Sequence, residues 1–289
     1  MQISILTSVE QARAVYPEVA ALFRTCFQRD PDTKRWAQYY FLNPYGDPLV
    51  TLARNSEGTL IGHSGMIPQQ LVDRNGESYP YCLSISLMVD PRHREGFTTF
   101  YTLFGAATNA AHDRNVPFLL AFPNANSFLL LKHGFGWREL AESGLYDWKP
   151  APLDATDTLI EPLERFRLGN ESGHPEDATY RSWRNLSGPY RVELINQRLE
   201  VIYRRTADQL LTILDLNTEH PEHAPDDLRA LAAWHGATTI RISGIHAQAA
   251  GLRESQLIPH GDYRLRLCYA PLTRHPPQPR FSLLLSDVF

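Results

Sequence analysis

The chain of 289 residues has little lysine, little cysteine and no long apolar run. Only Lys34, Lys132 and Lys149 are lysines, so the other 25 of its 28 basic residues are arginines. Its three cysteines are too few and too widely spaced for a disulfide framework or a zinc cluster, which fits a cytoplasmic location. No stretch approaches the roughly 18–20 apolar residues of a membrane span, and the first residues lack the pattern of a signal peptide.

The balance of charges is close to neutral. A formal net charge of −4 and a pI of about 6.3 provide no general attraction for a nucleic acid polymer or an anionic membrane. With 43% hydrophobic and 21% charged residues, the composition is that of a folded globular protein. Codon usage alone accounts for the arginine bias, unless arginines cluster where an anion binds.

The residue pattern predicts a mixed α/β fold in two parts. Apolar residues at helical spacing predict an N-terminal helix at 15–27 and a long helix at 97–114, and a strand–helix–strand crossover of this length favours parallel strands. Residues 149–177 are rich in proline and glycine, which indicates a linker. The second half repeats the plan with short strands, two helices and late strands, the last at 281–285. We expect domains at 1–150 and 151–289.

The most informative stretch runs from Leu83 to Trp137. It reads as a strand, a loop with Arg92, His93 and Arg94, and then a helix. The first N–H groups of a helix have no intrahelical partners and carry a partial positive charge. Arginines beside such a helix start favour a phosphate or pyrophosphate ligand, although a solvated basic turn has the same pattern.

The order of these motifs resembles the GCN5-related N-acetyltransferase (GNAT) superfamily. The matching features are the strand end Met88-Val89-Asp90-Pro91, the basic loop, the long helix, the motif Phe122-Pro123-Asn124-Ala125-Asn126-Ser127 and the closing Gly136-Trp137. They are similar to tandem GNAT proteins of bacterial polysaccharide and amino-sugar pathways. The resemblance implies a GNAT fold with a mixed, splayed sheet, followed by a second, degenerate GNAT-like domain.

Binding of acetyl-CoA or another acyl-CoA follows from the resemblance. The pantetheine arm would enter between two splayed strands, and the pyrophosphate would lie on the loop before the long helix. The cofactor-binding residues implied in this way are Leu87, Met88, Val89, Arg92, His93, Arg94, Glu95, Gly96, Phe97, Thr98, Thr99, Asn124, Asn126 and Ser127.

The sequence departs from the family pattern in its loop and in its acid and base. Counting from Arg94, the family's glycine positions hold Phe97 and Thr99, and counting from His93 they hold Gly96 and Thr98. Fewer glycines restrict how closely the backbone can approach a ligand. The tyrosine acid that is frequent in the family's short helix has no clear counterpart, and no carboxylate precedes Val89 on its strand.

The catalytic candidates are therefore His63, Ser86, His133 and Tyr146. Histidine titrates in a range suited to a general base, and His63 lies on a predicted central strand. Each candidate also has a structural reading: a core histidine bonded to backbone, a half-buried serine, a helix-end cation and a packed tyrosine. His220 and His223 share a loop with glutamates, but their spacing matches no metal motif, and no metal is expected.

The sequence thus predicts transfer of an acetyl group from acetyl-CoA to a primary amine of a small polar acceptor, with a nucleotide-linked amino sugar as the first choice. One alternative is an N-acyl amino acid synthase that uses a longer acyl-CoA or a carrier-bound chain. The other is an acyl-CoA-binding module without catalysis. The second half would complete the acceptor pocket, cover the first domain or form a homodimer.

Overall fold

The computed structural model describes residues 1–153, 158–164, 166–167, 172–175, 177–273, 277 and 279–286. The chain forms two compact units. The first comprises 1–72, 77–139 and 268–277, and the second comprises 73–76, 140–267 and 278–289. Both are mixed α/β structures, as the sequence predicted. The predicted boundary at residue 150 falls a short way inside the second unit.

The first unit is a mixed sheet with helices packed on it. Its sheet order is β1-β2-β3-β4-β5, followed by the end of β12 (Leu257–Pro271), and the expected parallel pairing is found between β4 and β5. All other neighbours in this part of the sheet are antiparallel. The elements are β1 (Gln2–Leu6), α1 (Val9–Phe27), α2 (Thr33–Tyr40), β2 (Leu49–Arg54), β3 (Leu60–Val72), β4 (Ser78–Val89), α3 (Thr98–Asp113), β5 (Phe118–Ala121) and α4 (Ala125–Phe135).

The core of the first unit lies between the sheet and α3. Phe100, Leu103, Phe104, Ala107 and Ala111 are buried, and they form the apolar stripe that helical spacing predicts. They pack with strand residues from β2 to β5 in one continuous apolar cluster. Because burial of this stripe fixes how α3 lies on the sheet, it also fixes the position of the loop that enters α3.

The second unit has a sheet of similar plan. Its order is β6-β11-β10-β9-β8-β7, with β10 parallel to β11 and the other pairs antiparallel. The elements are β6 (Arg138–Trp148), β7 (Ile160–Pro162), α5 (Ala178–Arg184), β8 (Arg191–Ile195), β9 (Leu199–Ala207), β10 (Leu210–Thr218), α6 (Ala224–Trp234), β11 (Thr239–Ser243), α7 (Gly244–Ala249) and β12 (Leu257–Pro271).

Several predicted elements differ from the observed ones. The late strand predicted at 281–285 is wrong, since Leu283–Leu285 form a short 3₁₀ helix capped by the Ser282 side chain. The predicted linker contains β7, which pairs with β8, while 154–157, 165, 168–171 and 176 lie outside the described residues. The strand Gln2–Leu6 was not predicted, because its pairing with β2 is a tertiary contact. No helix in the described part of the chain is long and apolar enough to cross a membrane.

Candidate functional site

The two parallel strands of the first unit separate before β4 ends. They pair only at Cys82–Ser84 with Leu119–Ala121, and β4 continues alone to Val89. The Asp90 N–H donates to the carbonyl of Ile61 at the β3 edge, at 2.8 Å. Because the backbone groups of successive residues in a strand point to opposite edges, the N–H and C=O of Val89 point away from β3 and into the gap between β4 and β5. Because the Val89 carbonyl accepts from side chains of this chain, it is the Val89 N–H that can donate to an extended ligand.

A bulge in β4 lies at the start of this gap. The register with β3 shifts between the pairs His63–Met88 and Gly65–Ile85, and Ser86 takes a left-handed conformation with φ 52°. The Nδ1 atom of His63 lies 2.8 Å from the Ser86 carbonyl. Since a carbonyl only accepts, Nδ1 carries the proton and donates. A bulge bends its strand, so the hydrogen bond from His63 stabilises the bend at which β4 separates from β5.

A cavity of about 670 Å³ opens at the gap. It is bounded by the end of α1, the end of β4, the loop after β4 and the first turns of α3 and α4. Most of its wall is apolar, and its polar side chains include those of Arg94, Asn124, Asn126 and Ser127. Its lining residues are Cys26, Phe27, Leu87, Met88, Val89, Arg94, Phe97, Phe100, Asn124, Ala125, Asn126, Ser127, Leu129 and Leu130.

The two arginines of the basic loop, Arg92 and Arg94, have different partners. Arg92 forms an ion pair with Asp90 at 2.7 Å and is largely exposed. Hydrogen bonds from Arg92 lower the pKa of the Asp90 carboxyl to about 2. Arg94 instead lines the cavity, where its Nε donates to the Val89 carbonyl at 2.8 Å. Arg94 is therefore the arginine placed to meet an anion in the cavity.

The entry to α3 uses two successive left-handed residues. Gly96 has φ 64° and Phe97 has φ 57°. The Phe97 position is the one that a register counted from Arg94 assigns to a family glycine. An ordinary side chain in this conformation is strained, and here the ring is 51% exposed at the cavity. Directly after it, the free N–H groups of the first turn of α3 begin.

Asn124 caps α4, whose first turn also lines the cavity. Its side-chain oxygen accepts from the backbone N–H groups of Asn126 and Ser127, at 3.1 and 3.0 Å. The Ser127 hydroxyl also lies 3.1 Å from that oxygen. The motif around Asn124 therefore folds as a capped helix start that presents short polar side chains to the cavity.

Most of the predicted cofactor residues surround this cavity. Leu87, Met88, Val89, Arg94, Phe97, Asn124, Asn126 and Ser127 line it. Arg92, His93, Gly96, Thr98 and Thr99 form the adjoining loop and helix start without lining it, and the Glu95 side chain lies outside the described part of the chain.

Sequence reasoning missed the contribution of α1. Cys26 and Phe27 end that helix and line the cavity, and the Cys26 thiol donates to the Val89 carbonyl at 3.4 Å. Burial raises the pKa of this thiol. Cys26 and Val89 are 63 positions apart, so no local pattern connects them. Phe100, Leu129 and Leu130 also line the cavity, but apolar residues in a helix look like ordinary core residues in the sequence.

Of the four catalytic candidates, His63 and Ser86 are in contact with each other, and none of the four lines the cavity. His63 is fully buried beside the rings of Trp36 and Tyr40, at 5.6 and 5.9 Å, and does not line the cavity. Burial lowers its pKa to about 4, so it is neutral at pH 7. Ser86 provides its carbonyl to His63, and His133 is exposed near the end of α4. Tyr146 lies on β6 of the second unit, opposite Ile242.

Similar folds occur in solved structures. A GCN5-related N-acetyltransferase from Kribbella flavida matches with a TM-score of 0.63 at 15% identity, covering 94% of this chain and 72% of that one. A tandem GNAT protein from the clavulanic acid biosynthesis pathway matches with a TM-score of 0.55 at 11% identity, covering 95% and 100%. A fungal GCN5-related glucosamine N-acetyltransferase region matches with a TM-score of 0.61 at 12% identity, covering 93% and 38%.

These likenesses establish the fold. The chain has the GNAT fold, and the match to a tandem GNAT protein extends over 95% of its length. The expectation of a GNAT fold is therefore confirmed, whereas the amino-sugar subgroup stays a prediction. No protein-family sequence model matches the chain, and no curated protein matches it in sequence.

Proposed function

We propose that this chain is an N-acyltransferase that moves the acetyl group of acetyl-CoA to a primary amine of a small polar acceptor. The observation that carries the proposal is the end of β4 beyond its pairing with β5, where the Val89 N–H faces a cavity that Arg94 and the capped start of α4 also line. An extended pantetheine arm offers amide carbonyls for that N–H, and a diphosphate suits a guanidinium beside a helix start.

Different residues of the cavity would contact different parts of the cofactor. Arg94 and the first-turn N–H groups of α3 would hold the phosphates, with Phe97 against the adjoining part of the cofactor. Of Met88 and Val89, it is Val89 whose backbone N–H can donate to the cofactor, because it faces the gap while the backbone groups of Met88 face β3. Asn126 and Ser127 would contact the thioester end.

Proton transfer in this site does not depend on a dedicated imidazole or carboxylate. None of the described residues that line the cavity carries either group. The amine would therefore react as the neutral fraction or lose its proton to water, while the site contributes by holding both reactants together. The rate should then rise with pH as the acceptor amine loses its proton.

A nucleotide-linked amino sugar is the proposed acceptor. The support is the motif resemblance around Asn124–Ser127 and Gly136-Trp137. One structural neighbour contains a glucosamine N-acetyltransferase region, which makes glucosamine a natural member of an acceptor panel. A cytoplasmic location and a homodimer belong to the same proposal.

A second candidate function uses the same cleft for a longer acyl chain. Phe27, Phe97 and Leu129 stand at the cavity with 40%, 51% and 55% of their surface exposed. Large apolar side chains left in water at a cavity favour a ligand that covers them. An N-acyl amino acid synthase would place an aliphatic chain there.

Binding and turnover distinguish these possibilities. Calorimetry with acetyl-CoA, octanoyl-CoA and free CoA measures binding, and an acceptor panel of nucleotide-linked amino sugars, glucosamine and amino acids measures transfer. We expect acetyl-CoA to bind and an amino sugar to be acetylated. Faster transfer from octanoyl-CoA to an amino acid would favour the second candidate. Binding without transfer to any amine would indicate a non-catalytic module, and failure to bind every CoA thioester would refute the proposal.

A further inference from the structure

The second unit repeats the strand arrangement that forms the cavity of the first. Its strands β10 and β11 pair in parallel over three residues each, Leu210–Thr212 with Thr239–Arg241, as β4 and β5 do. The register of β10 with β9 then shifts between Ile213 and Asp215, as that of β4 shifts around Ser86. A helix capped by Ser243 follows β11, as one capped by Asn124 follows β5.

Different side chains stand at the corresponding places. Three residues after the helix cap, the first unit has the half-buried Ser127, whereas the second has His246, which is 2% exposed. After the register shift in β10 the second unit has Asp215, which is only 1% exposed. Its Oδ1 lies 3.4 Å from Nε2 of His246. A buried carboxylate needs a cationic partner, and nearby Arg280 holds its pKa below the usual range against the effect of burial.

That partner comes from the segment 279–286. The Arg280 guanidinium donates to Asp215 Oδ1 at 3.2 and 3.0 Å through Nε and Nη2, and Nη2 also donates to the Leu216 carbonyl. The Ser282 hydroxyl donates to the Leu214 carbonyl at 3.4 Å. These contacts fall on the stretch of β10 beyond its pairing with β11. The same stretch of β4 lines the first cavity.

The rest of the segment is packed into the second unit. Leu283, Leu284 and Leu285 are at most 3% exposed, and the Phe281 ring lies 5.7 Å from the ring of His246. The Arg184 guanidinium donates to the Ser286 carbonyl at 2.9 Å. Beside Arg280 and Phe281 a cavity of only about 210 Å³ is left, compared with about 670 Å³ in the first unit.

We propose that the cleft of the second unit is a peptide-binding site, and that its ligand is the chain's own segment 279–286, anchored by Arg280 on Asp215. The chain would then bind one acyl-CoA, in the first unit. The number of acyl-CoA molecules bound per chain rests on the proposed function. The binding of segment 279–286 in the second cleft rests only on the contacts within the second unit.

Trypsin cleaves after arginine, so the rate of cleavage after Arg280 measures how firmly segment 279–286 is bound in the second unit. In the intact full-length protein, Arg280 should be protected, and Asp215→Asn should raise the rate at which the peptide beginning at Phe281 is released by about tenfold. Asp227→Asn is the matched control. Asp227 is also buried in the second unit and bonds to Arg198 at 2.8 Å, but it does not contact the segment.

A milder variant keeps the test valid if Asp215→Asn does not fold. Ser282→Ala removes the hydrogen bonds of that hydroxyl to Leu214 and Leu284 and leaves β10 unchanged. We expect it to release the peptide several-fold faster than the wild type. Release at the wild-type rate in every folded variant would overturn the proposal.

Native mass spectrometry with excess acetyl-CoA measures the second consequence. One bound molecule per chain supports the proposal, and two would overturn it. If none binds, the proposed function fails, while the trypsin result still decides whether the segment is the ligand of the second cleft.

Discussion

At the scale of single residues, neighbours in the sequence have separate roles. Arg92 and Arg94 are two positions apart, yet Arg92 pairs with Asp90 at the surface and Arg94 reaches the Val89 carbonyl inside the cavity. The sequence placed both in one phosphate-binding loop. It could not separate them, because the short 3₁₀ helix at Pro91–His93 sets their directions.

Arg94 should therefore dominate anion binding. Arg94→Ala should weaken acetyl-CoA binding by about tenfold or more, since a charge-assisted contact to phosphate is lost. Arg74→Ala changes an exposed arginine in the turn after β3 and should leave the dissociation constant nearly unchanged. Calorimetry with the two variants checks this. Equal effects would mean that Arg94 has no special role and that the arginine bias of the chain carries no functional meaning.

His63 should make stability, rather than catalysis, depend on pH. Its pKa is about 4 in the folded protein against 6.5 for an ordinary histidine. Between these values the unfolded chain binds the proton more readily, so the stability that is fully present above pH 6.5 falls as the pH drops toward 4, by an amount on the order of 3 kcal/mol.

His63→Asn removes this titration and keeps an N–H donor for the Ser86 carbonyl. Urea unfolding at pH 7.5, 6 and 5 should show a smaller loss of unfolding free energy in the variant than in the wild type. The same loss in both would contradict the assignment. The burial of His63 could not be predicted, since serine and glycine neighbours on a strand fit a core histidine and an open site equally well.

At the scale of elements, the starts of α3 and α4 contribute residues to the wall of the cavity. The motif around Asn124 starts α4, because asparagine accepts from the N–H groups that a first turn leaves unpaired. The bulge in β4 was not predicted. Ser86 carries no glycine signal, and its left-handed conformation is held by His63 from the neighbouring strand.

The Asn124 cap should matter for both stability and binding. Asn124→Ala should lower the unfolding free energy by about 1 kcal/mol and should also weaken acetyl-CoA binding, because the first turn of α4 borders the cavity. Asp32→Ala is the matched control, since Asp32 caps α2 in the same unit and does not line the cavity.

The two cap variants are compared by chemical unfolding and by calorimetry. We expect a similar loss of stability in both and weaker binding in Asn124→Ala alone. If the two variants bind acetyl-CoA equally well, the start of α4 does not contribute to the cofactor site.

At the scale of the whole molecule, the chain uses one plan in two units. The sequence indicated the repeated order of strands and helices without any residue-level repeat. It did not reveal that Asp215 and His246 stand where the first unit has its open cleft, or that Arg280 completes this buried group. Asp215 and Arg280 are 65 positions apart. Such a contact leaves no periodic signal, and the residues directly after Arg280, 281–285, were predicted as a strand.

The sequence by itself determined the mixed α/β class and the helical stripe of α3, and its resemblance to the GNAT superfamily indicated the motifs that border the cavity. The class and the stripe follow from local periodicity, and each motif consists of residues close together in the chain. Only the tertiary structure decided which arginine faces the cavity, that α1 contributes to its wall and that His63 is buried. These depend on contacts between distant segments, and their direction is set by packing rather than by local sequence.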